Sequence, residues 1–232
     1  MLFLGFLIPV AVLGLIVWAI VGFTRRGGSE PFTLASATAL YARVLVIVGL
    51  VMSLVGVGTV LKAAFGFINI AYSYYSPAVY ALAPQPGGTV APLEPFPSYL
   101  EQQRSQDLVL GITLLVVGIV VAVAHYFLAR AVRHMVGGSP AWVTRGALLA
   151  LTVVTAIAGI WSTALGLNQV LGYFIIGPSQ SQQPWGESLG MAIAFVPTWV
   201  YSMTRLVQDL RSPHAGASGQ GVVPERQDVQ RA

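Results

Sequence analysis

Long apolar runs without a charge constrain this chain more than any other feature. From Leu108 to Leu128 there is no Asp, Glu, Lys or Arg. About 18 such residues mark a membrane-spanning helix. Inside hydrocarbon no water satisfies backbone N–H and C=O groups, and a helix pairs them within the segment. Composition agrees: 56% of the residues are hydrophobic and 9% are charged, with a mean hydropathy of +0.75. A soluble domain carries about 25% charged residues. The reading is an all-α integral membrane protein.

Five spans are expected: Leu2 to Phe23, Val44 to Phe65, Leu108 to Leu128, Ala147 to Leu167, and Gly186 to Thr204. The first is followed by Arg25 and Arg26, whereas a signal peptide carries its positive charge ahead of a shorter apolar core. It reads as a retained anchor. The fifth contains Pro197, where a kink is expected, and Glu187 near its start. The chain divides into an anchor (1–27), a first hairpin (40–135) with a long external loop (66–107), a second hairpin (141–211), and a polar tail (212–232) that reads as disordered.

Arginine sets the direction. Arg25, Arg26 and Arg43 lie between the first two spans, Arg130, Arg133 and Arg145 between the third and fourth, and Arg205 after the fifth. Positive loops stay cytoplasmic, so the N-terminus is expected outside and the C-terminus inside. The formal charge of +4 therefore reports topology, and no nucleic-acid partner is expected. With no cysteine, disulfides, thiolate metal sites and Cys nucleophiles are excluded.

The two hairpins read as tandem, parallel copies. "ARVLVIVGLVMSLVGVGTVLKAAFGFINIAY" and "TRGALLALTVVTAIAGIWSTALGLNQVLGY" share an arginine (Arg43, Arg145), a mid-helix glycine (Gly56, Gly159) and a closing tyrosine (Tyr72, Tyr173). The following spans end in "HYFLAR" and "YSMTR", with Tyr126 and Arg130 spaced like Tyr201 and Arg205. With its endings "AHYFLAR" and "PTWVYSMTR", this two-helix unit resembles a bacterial family of uncharacterised integral membrane domains. The resemblance covers roughly Leu40–Arg211. It implies the fold and an inner-membrane location, and no activity.

Candidate sites are few. His125 is expected near the cytoplasmic edge of the third span, beside Tyr126 and the arginines. A neutral imidazole there could ligate haem or a chlorophyll-type pigment, but no second histidine lies inside a span, and an edge residue is the simpler reading. Lys62, near the outer end of its span, is expected to snorkel to water. No Asp, Glu or Arg falls at the centre of a span, which disfavours a proton-coupled carrier. Small residues at Gly49, Ser53 and Gly56, and at Thr155, Gly159 and Thr163, permit close helix approach. The Pro- and Tyr-rich segment supplies Tyr72, Tyr74, Tyr75, Tyr80, Phe96 and Tyr99 as residues for docking a partner or for packing over the protein's own helices, with a disordered loop as the third reading.

The leading expectation is a non-catalytic accessory or scaffolding subunit of a larger bacterial inner-membrane complex, with lipid and other membrane subunits as partners and no cofactor. Two alternatives are a small channel or carrier built from oligomerised hairpins, and a haem- or pigment-binding subunit acting through His125.

Overall fold

The structure, a computed structural model, describes residues 34–74, 96–135, 141–176 and 184–211. The described residues form α1 (Leu34–Ile68), the one-turn α2 (Ile70–Ser73), α3 (Phe96–Met135), α4 (Ala141–Ile176) and α5 (Gly186–Arg211). Three of these, α1, α3 and α4, are long and apolar enough to cross a membrane. The expected first span and the C-terminal tail lie outside the described residues.

Only three of the five expected spans meet that standard among the described helices. In α5 the charge-free stretch is 188–204, between Glu187 and Arg205, and it includes Pro197, Thr198 and Ser202. At 1.5 Å per residue it covers roughly 26 Å, against a hydrocarbon core of about 30 Å. The helix continues through Pro197.

The expected 66–107 loop is also corrected. Helix continues to Ile68, breaks at Asn69, and resumes for one turn. The break is bridged by Asn69 N–H donating to Phe65 O at 3.0 Å and Tyr72 N–H to Asn69 O at 3.0 Å. At the far side α3 already begins at Phe96. Glu101, Gln102, Arg104 and Gln106 are good helix formers, so the helix extends past its apolar part. Hydropathy detects only that part. Pro97 is tolerated because the first turn has no N–H partner to lose.

The helices pack as two antiparallel pairs, α1 with α3 and α4 with α5, joined through α1 and α5. In the first pair the backbones nearly touch. A Cβ on Gly49 would stand 2.6 Å from Ala122 N and 2.7 Å from Gly118 O; one on Gly56 would stand 2.5 Å from Leu115 N and 2.7 Å from Gly111 O. Gly49 and Gly56 on α1, and Gly111 and Gly118 on α3, are each seven residues apart, so two turns on one helix meet two turns on the other. Ser53 lies buried between them, its hydroxyl donating to Gly49 O at 2.9 Å.

The second pair is looser. A Cβ on Gly159 would meet Val196 at 3.3 Å, and one on Gly166 would meet Leu189 N at 3.3 Å. The joint between the pairs is tight again: a Cβ on Gly190 would reach Gly58 O at 2.6 Å, and Met191, Ala194 and Phe195 fill a small core against Leu54, Val55, Val57 and Ala158. Because α5 runs antiparallel to both α1 and α4, those two are parallel and the pairs point the same way. Their registers differ: Gly56 faces Gly111 and Leu115, whereas Gly159 faces Val196. Tyr126 therefore lies at least eleven residues beyond its glycine contact on α3, and Tyr201 five beyond its own on α5.

The seam carries a direct test. Alanine is the better helix former by about 1 kcal/mol, but at Gly56 or Gly118 its methyl would press on backbone that cannot turn aside. Overpacking of this kind costs about 1–3 kcal/mol. Gly56→Ala and Gly118→Ala should lower the thermal unfolding temperature followed by circular dichroism in detergent, while Gly166→Ala should leave it nearly unchanged.

Candidate functional site

Three of the charges missing from the span centres meet at one end of the bundle. Lys62 sits on α1, one turn beyond Gly58, on the face that meets α5. Asp107 comes from α3, two residues before Val109 begins its exposed apolar surface. Glu187 lies in the first turn of α5, where a carboxylate is favoured by the helix dipole. Lys62 Nζ stands 2.8 Å from Asp107 Oδ2 and 3.4 Å from Glu187 Oε2. The lysine and aspartate side chains are 10% and 11% exposed, and the glutamate side chain is 36% exposed.

The expectation that Lys62 snorkels to water is therefore corrected. An isolated buried ammonium would be costly. Two carboxylates from two other helices offset that cost, so the side chain turns inward and becomes the point where α1, α3 and α5 are tied.

Tyr74 closes the site. Its ring lies over Lys62, 4.9 Å from Nζ to centroid. Gly66 makes room, since a Cβ there would meet the ring's Cε2 at 2.7 Å. Burial, and then the negative charge of Asp107, hold the Tyr74 phenol well above its ordinary value of 10.0. Beside it, Ser73 packs on Gly186. Tyr72 stacks on Trp185 with ring centroids 4.8 Å apart, and Phe65 approaches the same indole at 5.4 Å. Tyr72 also meets Tyr173 edge-on at 5.8 Å. The closing tyrosines of the two similar stretches thus touch.

This arrangement removes Tyr74 from the docking set, because it is only 2% exposed and covers the protein's own ion pairs. Tyr72 is half-buried and held against Trp185 and Tyr173. Phe96 and Tyr99 belong to the first turn of α3, and Tyr75 and Tyr80 lie outside the described residues. Next to the site, the Arg104 guanidinium lies over the Phe67 ring at 4.0 Å and donates to Gly66 O at 3.4 Å.

His125 lies on α3, half-buried, with Nδ1 2.8 Å from Val121 O and its ring edge-on to Tyr41 at 5.8 Å. If Nδ1–H donates to that carbonyl, Nε2 is the ring's acceptor nitrogen. Tyr126 beside it is exposed. Among the described residues, no group of three or more His, Asp or Glu is placed to hold a metal ion.

The remaining sequence candidates serve packing or mark the opposite end. Thr155 is fully buried, donating to Leu151 O at 2.7 Å, and Thr163 donates to Gly159 O at 2.7 Å. Arg145 Nε pairs with Asp209 Oδ2 at 2.9 Å, tying α4 to α5, and Arg205 donates to the Tyr201 hydroxyl at 3.2 Å. Arg130 is exposed, Arg43 is half-buried on α1, and Arg133 lies in the last turns of α3. Arg25 and Arg26 precede the described residues.

The charged cluster is what sequence reasoning missed. A signal existed: the chain's one lysine and two of its eight acidic residues stand at the same end of three of the four hairpin helices. Comparison with family models, with curated proteins and with solved structures finds no match for this chain.

Two measurements check the site. Lys62→Met would leave Asp107 buried against no cation, and breaking a buried pair this way costs about 3–5 kcal/mol. Thermal unfolding in detergent should show that loss, and Asp107→Asn added to Lys62→Met should recover part of it. The Tyr74 phenol gives a pH test. Its folded value is raised, so its contribution to stability is complete below about pH 10 and falls as the pH rises above that, where the unfolded chain ionises first. Unfolding followed against pH should therefore show a steeper alkaline loss for the native chain than for Tyr74→Phe.

Proposed function

We propose that this chain is a non-catalytic integral membrane subunit, accessory or scaffolding, of a larger bacterial inner-membrane complex. The observation that carries this reading is the way α3 is held. It packs on α1 along one glycine-lined face and turns large apolar side chains outward along the rest, among them Val109, Ile112, Val116, Ile119, Val120 and Val123. A helix fixed by one narrow seam presents a stiff, wide surface to lipid or to a neighbouring transmembrane helix. Within the four long helices the buried hydroxyls of Ser53, Thr59, Thr152, Thr155 and Ser202 donate to carbonyls of their own helices, as in a packed scaffold.

Gentle solubilisation of the native protein tests the proposal. Other membrane proteins should travel with it through affinity and size-exclusion steps. Recovery of the chain alone, as a defined homo-oligomer, would favour the channel or carrier reading instead. The haem or pigment reading draws on the acceptor nitrogen that the Val121 contact leaves on His125. An absorbance spectrum of the same sample checks it: a visible band abolished by His125→Ala would make the chain a cofactor-binding subunit. Within the Pro- and Tyr-rich segment, Tyr75 and Tyr80 are the residues to replace in a docking test, since Tyr74 is part of the bundle.

The same reading has five crossings, with the N-terminus outside and the C-terminus cytoplasmic. The pairing of α5 with α4, from Leu189 against Gly166 to Asp209 against Arg145, supports counting α5 as a crossing despite its polar composition. The arginine distribution supports the direction. Reporter fusions after Gly27, Gly138 and Ser212 should read cytoplasmic, and fusions after Gly88 and Ser181 external. A cytoplasmic signal at Gly88 would overturn this threading.

A further inference from the structure

We infer that the apolar run at residues 2–23 docks in the membrane along the outward face of α3, so that the chain covers its own barest helix. This rests on the five-crossing reading above. Of the three long apolar helices α3 is the least covered: 11% of its apolar stretch is buried, against 33% for α1 and 17% for α4. α1 lies between neighbours and α4 has α5 along it, whereas α3 packs mainly on α1. The open face is broad. Val117, Ile119 and Val120 point in three directions around the helix, and all three are exposed.

The tether selects the occupant. Residues 24–33 alone separate the apolar run from the start of α1 at Leu34. Ten residues reach at most roughly 35 Å. Leu34 stands roughly 15 Å along the axis before Val44, where the charge-free stretch of α1 begins. A helix on the far side of α3 stands about two interaxial distances from α1, roughly 16–20 Å. Together these need a path of about 25 Å, which the tether spans. Elements consecutive in a chain usually lie side by side, and a short tether keeps its segment at high effective concentration. A separate subunit has no such advantage. With the N-terminus outside, the run descends toward the cytoplasm as α3 does. Leu13, eleven residues after Leu2, then comes level with Ile119, eleven after Leu108. Ala11 and Gly14, within one turn of each other, leave room for the branched side chains of α3. One helix covers one strip of α3, and the remainder stays open to lipid or to another subunit.

The chain has no cysteine of its own, so cross-linking in native membranes tests the docking. Ala11, Val12, Leu13 and Gly14 are replaced by cysteine one at a time, which samples every side of the run. Each is combined with Val117→Cys, Ile119→Cys or Val120→Cys on α3, or with Ile157→Cys or Ile160→Cys on α4; these five helix positions are exposed. After oxidation with copper–phenanthroline the membranes are denatured and treated with a PEG-maleimide, which adds mass only to free thiols. At least one pair with α3 should lose most of its PEG shift while still running as a monomer, and pairs with α4 should keep theirs. Loss of the shift with α4, covalent dimers in place of monomer links, or free thiols in every pair would overturn the docking. A reporter fused after Gly27 in the same variants separates two failures. A cytoplasmic signal without an α3 link sinks the docking alone, and loss of that signal sinks the five-crossing reading with it.

Discussion

In a lipid solvent apolar side chains gain nothing by leaving their surroundings for one another, so helices associate through close packing and polar contacts. The seam between α1 and α3 meets that constraint most directly. Four glycines at seven-residue spacing bring main chain against main chain, with Ser53 set between them. That contact fixes the register of the pair, and much of the rest follows. With Gly56 opposite Gly111, the antiparallel geometry carries Asp107 to the level of Lys62, and Tyr41 to the level of His125. A slip of α3 by one turn would separate Asp107 from the lysine and leave that carboxylate buried away from its cation.

The charged cluster and the seam thus specify the same arrangement by different physics. The seam is short-range and steric, and it excludes any side chain larger than hydrogen at its contact points. The cluster is electrostatic, and it makes wrong registers costly. At the opposite end Arg145 and Asp209 do for α4 and α5 what Lys62 and Asp107 do for α1 and α3, but in a more exposed setting, where an ion pair contributes little. The looser glycine contacts of the second pair, near 3.3 Å, match that weaker tie.

Helical class and the positions of α1, α3 and α4 were legible because a long apolar run has few alternatives in a bilayer. Small residues at Gly49, Ser53 and Gly56 likewise pointed to close approach. Helix ends were less legible: Phe96 to Asp107 carries a proline, glutamines and charges that read as loop when apolar length is the criterion, yet all of it is helix. The cluster was hidden for a different reason. Lys62, Asp107 and Glu187 are 45 and 80 residues apart in the chain, and each alone reads as an end-of-span residue with water in reach. Only the register of three helices brings them together, and that register is set by glycine contacts between partners that sequence spacing does not name. Tyr74 was misjudged with them, because a tyrosine in a polar-looking segment gives no sign that its ring is needed over a buried ammonium.

The length of α3 has a mechanical consequence. From Gly111, where the seam to α1 begins, to Phe96 there are fifteen residues, an arm of roughly 22 Å. Much of that arm carries polar, exposed side chains such as Glu101, Gln102 and Gln106. Because the arm is one continuous helix, a tilt of about 10° at the seam would displace its tip by roughly 4 Å over that length. The same lever runs in reverse. A load applied at the tip arrives at Gly111 with mechanical advantage, and Asp107, four residues outward, is where the arm is braced.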